Sequence, residues 1–112
     1  MSLRTTADEG ARAAVTLERM REAAGAASAL MKTLGHDGRL MILCHLAEGE
    51  KPVHTLCELT GLPQSALSQQ LARMRRENLV AARRDSQTVH YSLCSGKARQ
   101  IIEKLYELYC PD

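Results

Sequence analysis

A change of hydrophobic period in the middle of the chain limits the fold more than any other feature. From Val53 to Leu59 the apolar residues Val53, Leu56 and Leu59 recur at helical spacing. Thr60-Gly61-Leu62-Pro63 then breaks the chain, and a longer helix resumes from Gln64 to Asn78 with Leu67, Leu71 and Met74 on one side. Beyond it Val80 and Ala82, then Val89, Tyr91 and Leu93, alternate with polar residues, which is the repeat of strands. Asp85-Ser86 lies between the two halves as the expected hairpin turn. A short helix, a glycine-containing turn and a longer polar helix match the helix-turn-helix pattern, and a hairpin directly after it is a wing.

Helices flank this unit. Val15, Leu17, Met20, Ala24, Ala27, Leu30, Met31 and Leu34 predict a helix from about Ala13 to Leu34, stopped by Gly35. A second is expected from Asp37 to Ala47, ended by Gly49 and Pro52, and a last one from Lys97 to Tyr109 with a broad apolar stripe. The expected class is therefore mainly α with a β-hairpin wing, in the order α-α-α-α-β-β-α. One domain would span residues 13–112, preceded by a flexible arm over residues 1–12, where no apolar period is found. With three Tyr, no Phe and no Trp in 112 residues, the core must come from aliphatic residues, which suits packed helices. No stretch approaches the roughly 20 apolar residues of a membrane span, and no apolar leader opens the chain, so a cytoplasmic protein without membrane association is expected.

The formal net charge is only +2, but its distribution is uneven. Arg73, Arg75, Arg76, Arg83 and Arg84 crowd the end of the long polar helix and the hairpin, opposed there only by Glu77. At the start of that helix Gln64, Ser65, Ser68, Gln69 and Gln70 can donate to and accept from base edges, as the N-terminal residues of a recognition helix do. The arginines that follow are placed to clamp phosphates. The hairpin adds Gln87, Thr88 and His90 to Arg83 and Arg84. Double-stranded DNA is thus the expected partner. A winged-helix module that binds another protein is the alternative from a different class, and the retained arginines speak against it. There is no Cys-x-x-Cys, glycine-rich phosphate loop or Ser-His-Asp pattern, so no enzyme is expected.

The sequence resembles the ArsR-type (arsenic repressor-like) winged-helix regulators from about Ala29 to Cys110. Leu34-Gly35-His36-Asp37-Gly38-Arg39-Leu40-Met41-Ile42-Leu43 resembles that family's "L-[S/G]-x-x-x-R-L-x-I-L" segment. Glu58-Leu59-Thr60-Gly61-Leu62 with Gln64-Ser65-Ala66-Leu67-Ser68-Gln69-Gln70-Leu71 resembles its helix-turn-helix, and Val89-His90-Tyr91-Ser92-Leu93 its second wing strand. Gln70 stands where many members have His. The resemblance implies a homodimeric repressor paired through its first and last helices, with Ile101, Leu105 and Leu108 in the seam. Two reading helices would then face major grooves about 34 Å apart on an inverted repeat.

Four cysteines remain: Cys44, Cys57, Cys94 and Cys110. In a reducing compartment they are core residues, metal ligands or redox-active thiols. Cys44 in the second helix and Cys110 at the end of the last one resemble the cysteine pair of the family's sulfide- and persulfide-responsive branch (SqrR/BigR-type). That resemblance implies reactive sulfur species as inducer, joining the two thiols and weakening DNA binding, with no resident cofactor and no metal. A thiolate metal sensor is the main rival. However, Cys57 lacks a cysteine two residues earlier, where Thr55 stands, and the last helix has no spaced Asp, His and Glu set. A haem-responsive regulator is the third reading.

Overall fold

Glycine, proline and Asn78 punctuate the chain into the elements of a computed structural model that describes residues 10–110, with side chains from Thr16 onward. The order is α1 (Gly10–Leu34), α2 (Asp37–Ala47), β1 (Lys51–Pro52), α3 (Val53–Thr60), α4 (Gln64–Arg76), β2 (Val80–Asp85), β3 (Thr88–Leu93) and α5 (Gly96–Tyr109). This is the winged helix-turn-helix plan expected from the periodicities. The flexible arm expected for residues 1–12 falls outside the described residues as far as residue 9, while residues 10–12 open α1.

Each boundary has a local cause. The His36 ring caps α2, its Nδ1 accepting from the Arg39 N–H at 3.3 Å. Gly38 makes room for that ring, because a Cβ there would meet its Cε1 at 3.1 Å. Gly61, at φ 76°, closes α3 in the left-handed region that glycine enters without penalty. Ser95 caps α5 by accepting from the Ala98 N–H.

Two details differ from the sequence reading. Helix α4 was expected to reach Asn78 but stops at Arg76, because Asn78 turns left-handed at φ 62°. Its N–H donates to the Arg75 carbonyl and the Leu79 N–H to that of Met74, the paired bonds of a Schellman motif, with Asn in the position glycine usually takes. The hairpin turn is Ser86-Gln87 and not Asp85-Ser86, since Asp85 pairs with Thr88. Ser86 carries the positive φ, 62°, at the first central position, as a type II′ turn requires.

A third strand was not foreseen. Lys51 and Pro52 pair antiparallel with Tyr91 and His90, giving the sheet order β1-β3-β2. Two residues are too few to show a period, and an edge position is where a proline, lacking an N–H, does least harm.

The core of residues 33–110 is built almost wholly from aliphatic side chains and methionine, with Thr33 and Arg39 as its buried polar members. Ile42, Leu43 and Leu46 from α2, Leu56 from α3, Leu67, Leu71 and Met74 from α4 and Ile102 from α5 are all fully buried. Arg99 of α5 ties the ends of neighbouring elements, donating to the carbonyls of Ala47 and Leu93, both at 3.2 Å. Helix α1, taken by itself, leaves Leu17, Met20 and Met31 exposed. Among the described residues no helix is long and apolar enough to cross a membrane.

Because Asn78 holds a conformation that costs an ordinary L-residue about 1–2 kcal/mol, Asn78→Ala is expected to lower the unfolding free energy by about 1 kcal/mol. Asn78→Gly should leave it near the wild-type value. Urea unfolding of the two variants side by side checks this; equal stability would show that the left-handed turn does not set the end of α4.

Candidate DNA-reading face and thiol cavity

Helix α4 is seated by Leu67, Leu71 and Met74, each with no exposed surface. That seating turns Gln64, Ser65, Ser68 and Gln69 outward, all exposed, with Arg75 and Arg76 exposed in the last turn. Pro63 sits at the N-cap and offers no side-chain acceptor, so no side chain caps the N–H groups of the first turn.

The five arginines expected to meet phosphates fall into two groups. Arg73 pairs with Glu77 one turn on, at 3.2 Å. Arg83 is gripped by Glu50 through two bonds, Nη2 to Oε1 at 2.7 Å and Nε to Oε2 at 3.1 Å, with Asp85 4.0 Å away. The same pairing holds the Glu50 carboxyl below the usual range. Arg75, Arg76 and Arg84 have no ion-pair partner among the described residues. In the wing, Gln87 is exposed at the turn, whereas Thr88 and His90 are half-buried on β3.

Gln70 behaves differently from its neighbours on α4. Its Oε1 accepts from Nη1 of Arg39 at 3.2 Å, so its amide oxygen is engaged within the protein. Arg39 is itself buried, 7% exposed, and its Nε donates to the Thr33 carbonyl at 3.0 Å. The Thr33 hydroxyl in turn donates to Glu77. That bond, ahead of the contact with Arg73, holds the Glu77 carboxyl below the ordinary range. Arg39, Thr33, Glu50 and Glu77 were not singled out from sequence as functional. The available signal was a charged residue inside the apolar run of α2, at Arg39.

The second feature lies between α2 and α5. Cys44 and Cys110 line one cavity of about 580 Å³ together with Leu40, Met41, Ile102, Leu105, Tyr106 and Tyr109. No charged side chain is in its wall. Cys44 is half-buried and Cys110 exposed. Burial, followed by the nearness of Cys110 and Glu48, pushes the Cys44 thiol up, so at neutral pH it is held protonated. Burial also raises the Tyr106 hydroxyl, with Cys44 nearby as a smaller cause. Cys57 on α3 and Cys94 after β3 are not in the wall; the Cys94 thiol donates to the Asn78 carbonyl at 3.6 Å. Among the described residues no three His, Cys, Asp or Glu side chains gather as a metal set.

The Glu77 shift has a stability consequence. Its folded-state pKa lies below the unfolded value of about 4.3, so its stabilisation is complete above that value and is lost as pH falls through the folded one. Urea unfolding between pH 3 and 6 is expected to show a steeper loss toward acid in the wild type than in Glu77→Gln. Parallel curves would show that Glu77 gains nothing on folding.

Comparison with known proteins places these features in a family. Residues 36–82 match the family described as bacterial regulatory protein, arsR family. The chain is 42% identical over 98 residues to the transcriptional activator HlyU of Vibrio cholerae, spanning 88% of this chain and 91% of that protein. The structure of reduced HlyU from Vibrio cholerae superposes with a TM-score of 0.80 at 42% identity, covering 83% of this chain and 98% of that one. The crystal structure of the transcriptional repressor BigR from Xylella fastidiosa gives a TM-score of 0.78 at 40% identity, covering 83% and 95%.

Proposed function

The chain belongs to the ArsR family of bacterial regulatory proteins and is a DNA-binding transcriptional regulator, and we propose that it acts as a homodimeric repressor that releases its operator when reactive sulfur joins Cys44 to Cys110. The observation that carries this reading is an apolar cavity lined by both thiols, one from α2 and one from the end of α5. Sequence separates them by more than half the chain, and they share a wall only through the packing of α5 on α2.

The two thiols are unequal, which suggests an order of events. Cys110, the exposed one, takes up sulfur first. Its thiolate attacks the outer sulfur of a persulfide, the S–S bond of the donor breaks, and the donor leaves as a thiol. A second transfer leaves Cys110 carrying two added sulfurs. Cys44 then loses its proton and attacks the nearer of them; the bond to the terminal sulfur breaks, and hydrogen sulfide departs. The protein sulfurs lose two electrons, which leave on that sulfide. A bridge with one sulfur between the thiols results, and such a bridge spans more than the about 7 Å Cα separation that limits a direct disulfide. Shielding in an apolar wall keeps the charged Cys44 thiolate scarce until a partner is in place.

DNA recognition falls to α4 and the wing. Gln64, Ser65, Ser68 and Gln69 face outward to read base edges, while Arg75, Arg76 and Arg84 meet phosphates. Exposed Leu17, Met20 and Met31 on α1 and Leu108 and Tyr109 on α5 are apolar surface of the kind a two-fold partner covers. Two copies so paired present their reading helices to an inverted repeat. The repressing sign follows the Xylella fastidiosa relative, whose name is that of a repressor.

Cys44→Ser and Cys110→Ser are each expected to keep operator binding while losing release by glutathione persulfide, read by fluorescence anisotropy of a labelled duplex. Normal release from both single variants would eliminate the two-thiol mechanism. On the DNA side, Arg84→Ala should weaken binding to operator and random duplex alike and reduce the salt slope by about 0.9. Gln69→Ala should instead change sequence preference. Equal effects of both on the two kinds of DNA would refute these roles.

A further inference from the structure

Arg39 is buried in α2, yet neither the thiol cavity nor the outward face of α4 uses it. It shares α2 with three residues of the cavity wall: Leu40, its immediate neighbour, then Met41 and Cys44. Its guanidinium reaches the other way, to Gln70 in the middle of the reading helix, beside Gln69. Its Nε holds the Thr33 carbonyl, and Thr33 holds Glu77 at the end of the same helix. Helix α4 is therefore tied at two places to one buried cluster, and the residue in that cluster that belongs to α2 is Arg39.

We infer that Arg39 is a positioning residue that couples the thiol cavity to the reading helix through its bond with Gln70. The inference rests on the proposed role of Cys44 and Cys110. A bridge between those thiols draws α2 against α5. An 11-residue helix with its own backbone bonds moves as a rod, so Arg39, five residues before Cys44, moves with it. At 3.2 Å the bond to Gln70 is already at the long limit for an N–H donor. A buried guanidinium that loses an acceptor is costly, so α4 must either follow α2 or give up the tie. An α4 that follows α2 carries Gln69 out of the place that seating of Leu67, Leu71 and Met74 gives it, whereas an α4 that gave up the tie would leave Gln69 where it is and operator affinity unchanged by bridging.

An anchor that merely holds the fold together would affect DNA binding equally whether or not the thiols are joined. The test therefore reads a ratio. Wild type, Gln70→Met, Gln70→Glu and Arg39→Lys are bridged with dibromobimane, in which each thiolate displaces one bromide and two C–S bonds form. Operator affinity is then measured before and after bridging, and peptide mapping gives the yield of bridge.

Bridging is expected to cost the wild type about tenfold or more in affinity, the usual range of coupling between sites. In Gln70→Met, which keeps length but loses the acceptor, the cost should shrink to under about threefold at equal yield. Gln70→Glu, which restores an acceptor, should regain it. Arg39→Lys, keeping charge without the fork, should behave as Gln70→Met does; if it does not fold, the Gln70 pair decides. The proposal is overturned if Gln70→Met retains the wild-type ratio, if no bimane bridge forms, or if bridging leaves wild-type affinity unchanged. Treatment with glutathione persulfide in parallel separates the two readings. Failure to join the thiols there, alongside a Gln70-dependent bimane effect, removes sulfur as the inducer and leaves the coupling in place.

Discussion

The rest of the structure depends on the seating of α4. Leu67, Leu71 and Met74 disappear completely into an aliphatic core shared with Ile42, Leu43 and Leu46 of α2, Leu56 of α3 and Ile102 of α5. Each such side chain contributes about 1.5–3 kcal/mol on burial, and close packing allows only one rotation of the helix about its axis. That rotation turns Gln64, Ser65, Ser68 and Gln69 outward together, and it turns Gln70 inward to Arg39. The same core packs α5 on α2, where one cavity takes both Cys44 and Cys110 into its wall. The outward face of α4 and the thiol cavity are thus two surfaces of one packed unit.

Electrostatics then sorts residues that look alike. Arg83 and Arg84 are neighbours, but β-strand alternation sends only the first toward Glu50, where two bonds occupy its guanidinium. Arg73 is taken by Glu77 through a single bond, leaving Arg75, Arg76 and Arg84 as the arginines of the set without an ion pair among the described residues. Exposed pairs such as these add little stability. Their effect is on where the side chains are held, which decides which arginines of the set are engaged within the protein.

Much of this was legible in the sequence because it rests on local rules. The switch from helical to alternating period gave the helix-turn-helix and wing, and Gly35, Gly61 and Pro63 marked breaks that the structure keeps. What escaped needed partners distant in the chain. The two-residue β1 exists only because β3 lies beside it, and the hairpin turn slipped by one residue because Ser86, not a glycine, holds the positive φ. That the amide oxygen of Gln70 is engaged by Arg39, 31 residues earlier, could not be read from its place in the polar helix. The pairing of Cys44 with Cys110 came from a family pattern, and the unequal burial of the two thiols came only from the fold.

In the proposed function the two thiols of the cavity are the sensor. Intact mass spectrometry of the reduced protein after exposure to glutathione persulfide, followed by peptide mapping, tests it most directly. Added sulfur linking the peptides of Cys44 and Cys110 within one chain is the expected result. Added sulfur confined to Cys57 or Cys94, or no linked peptide while the protein still binds DNA, would contradict it.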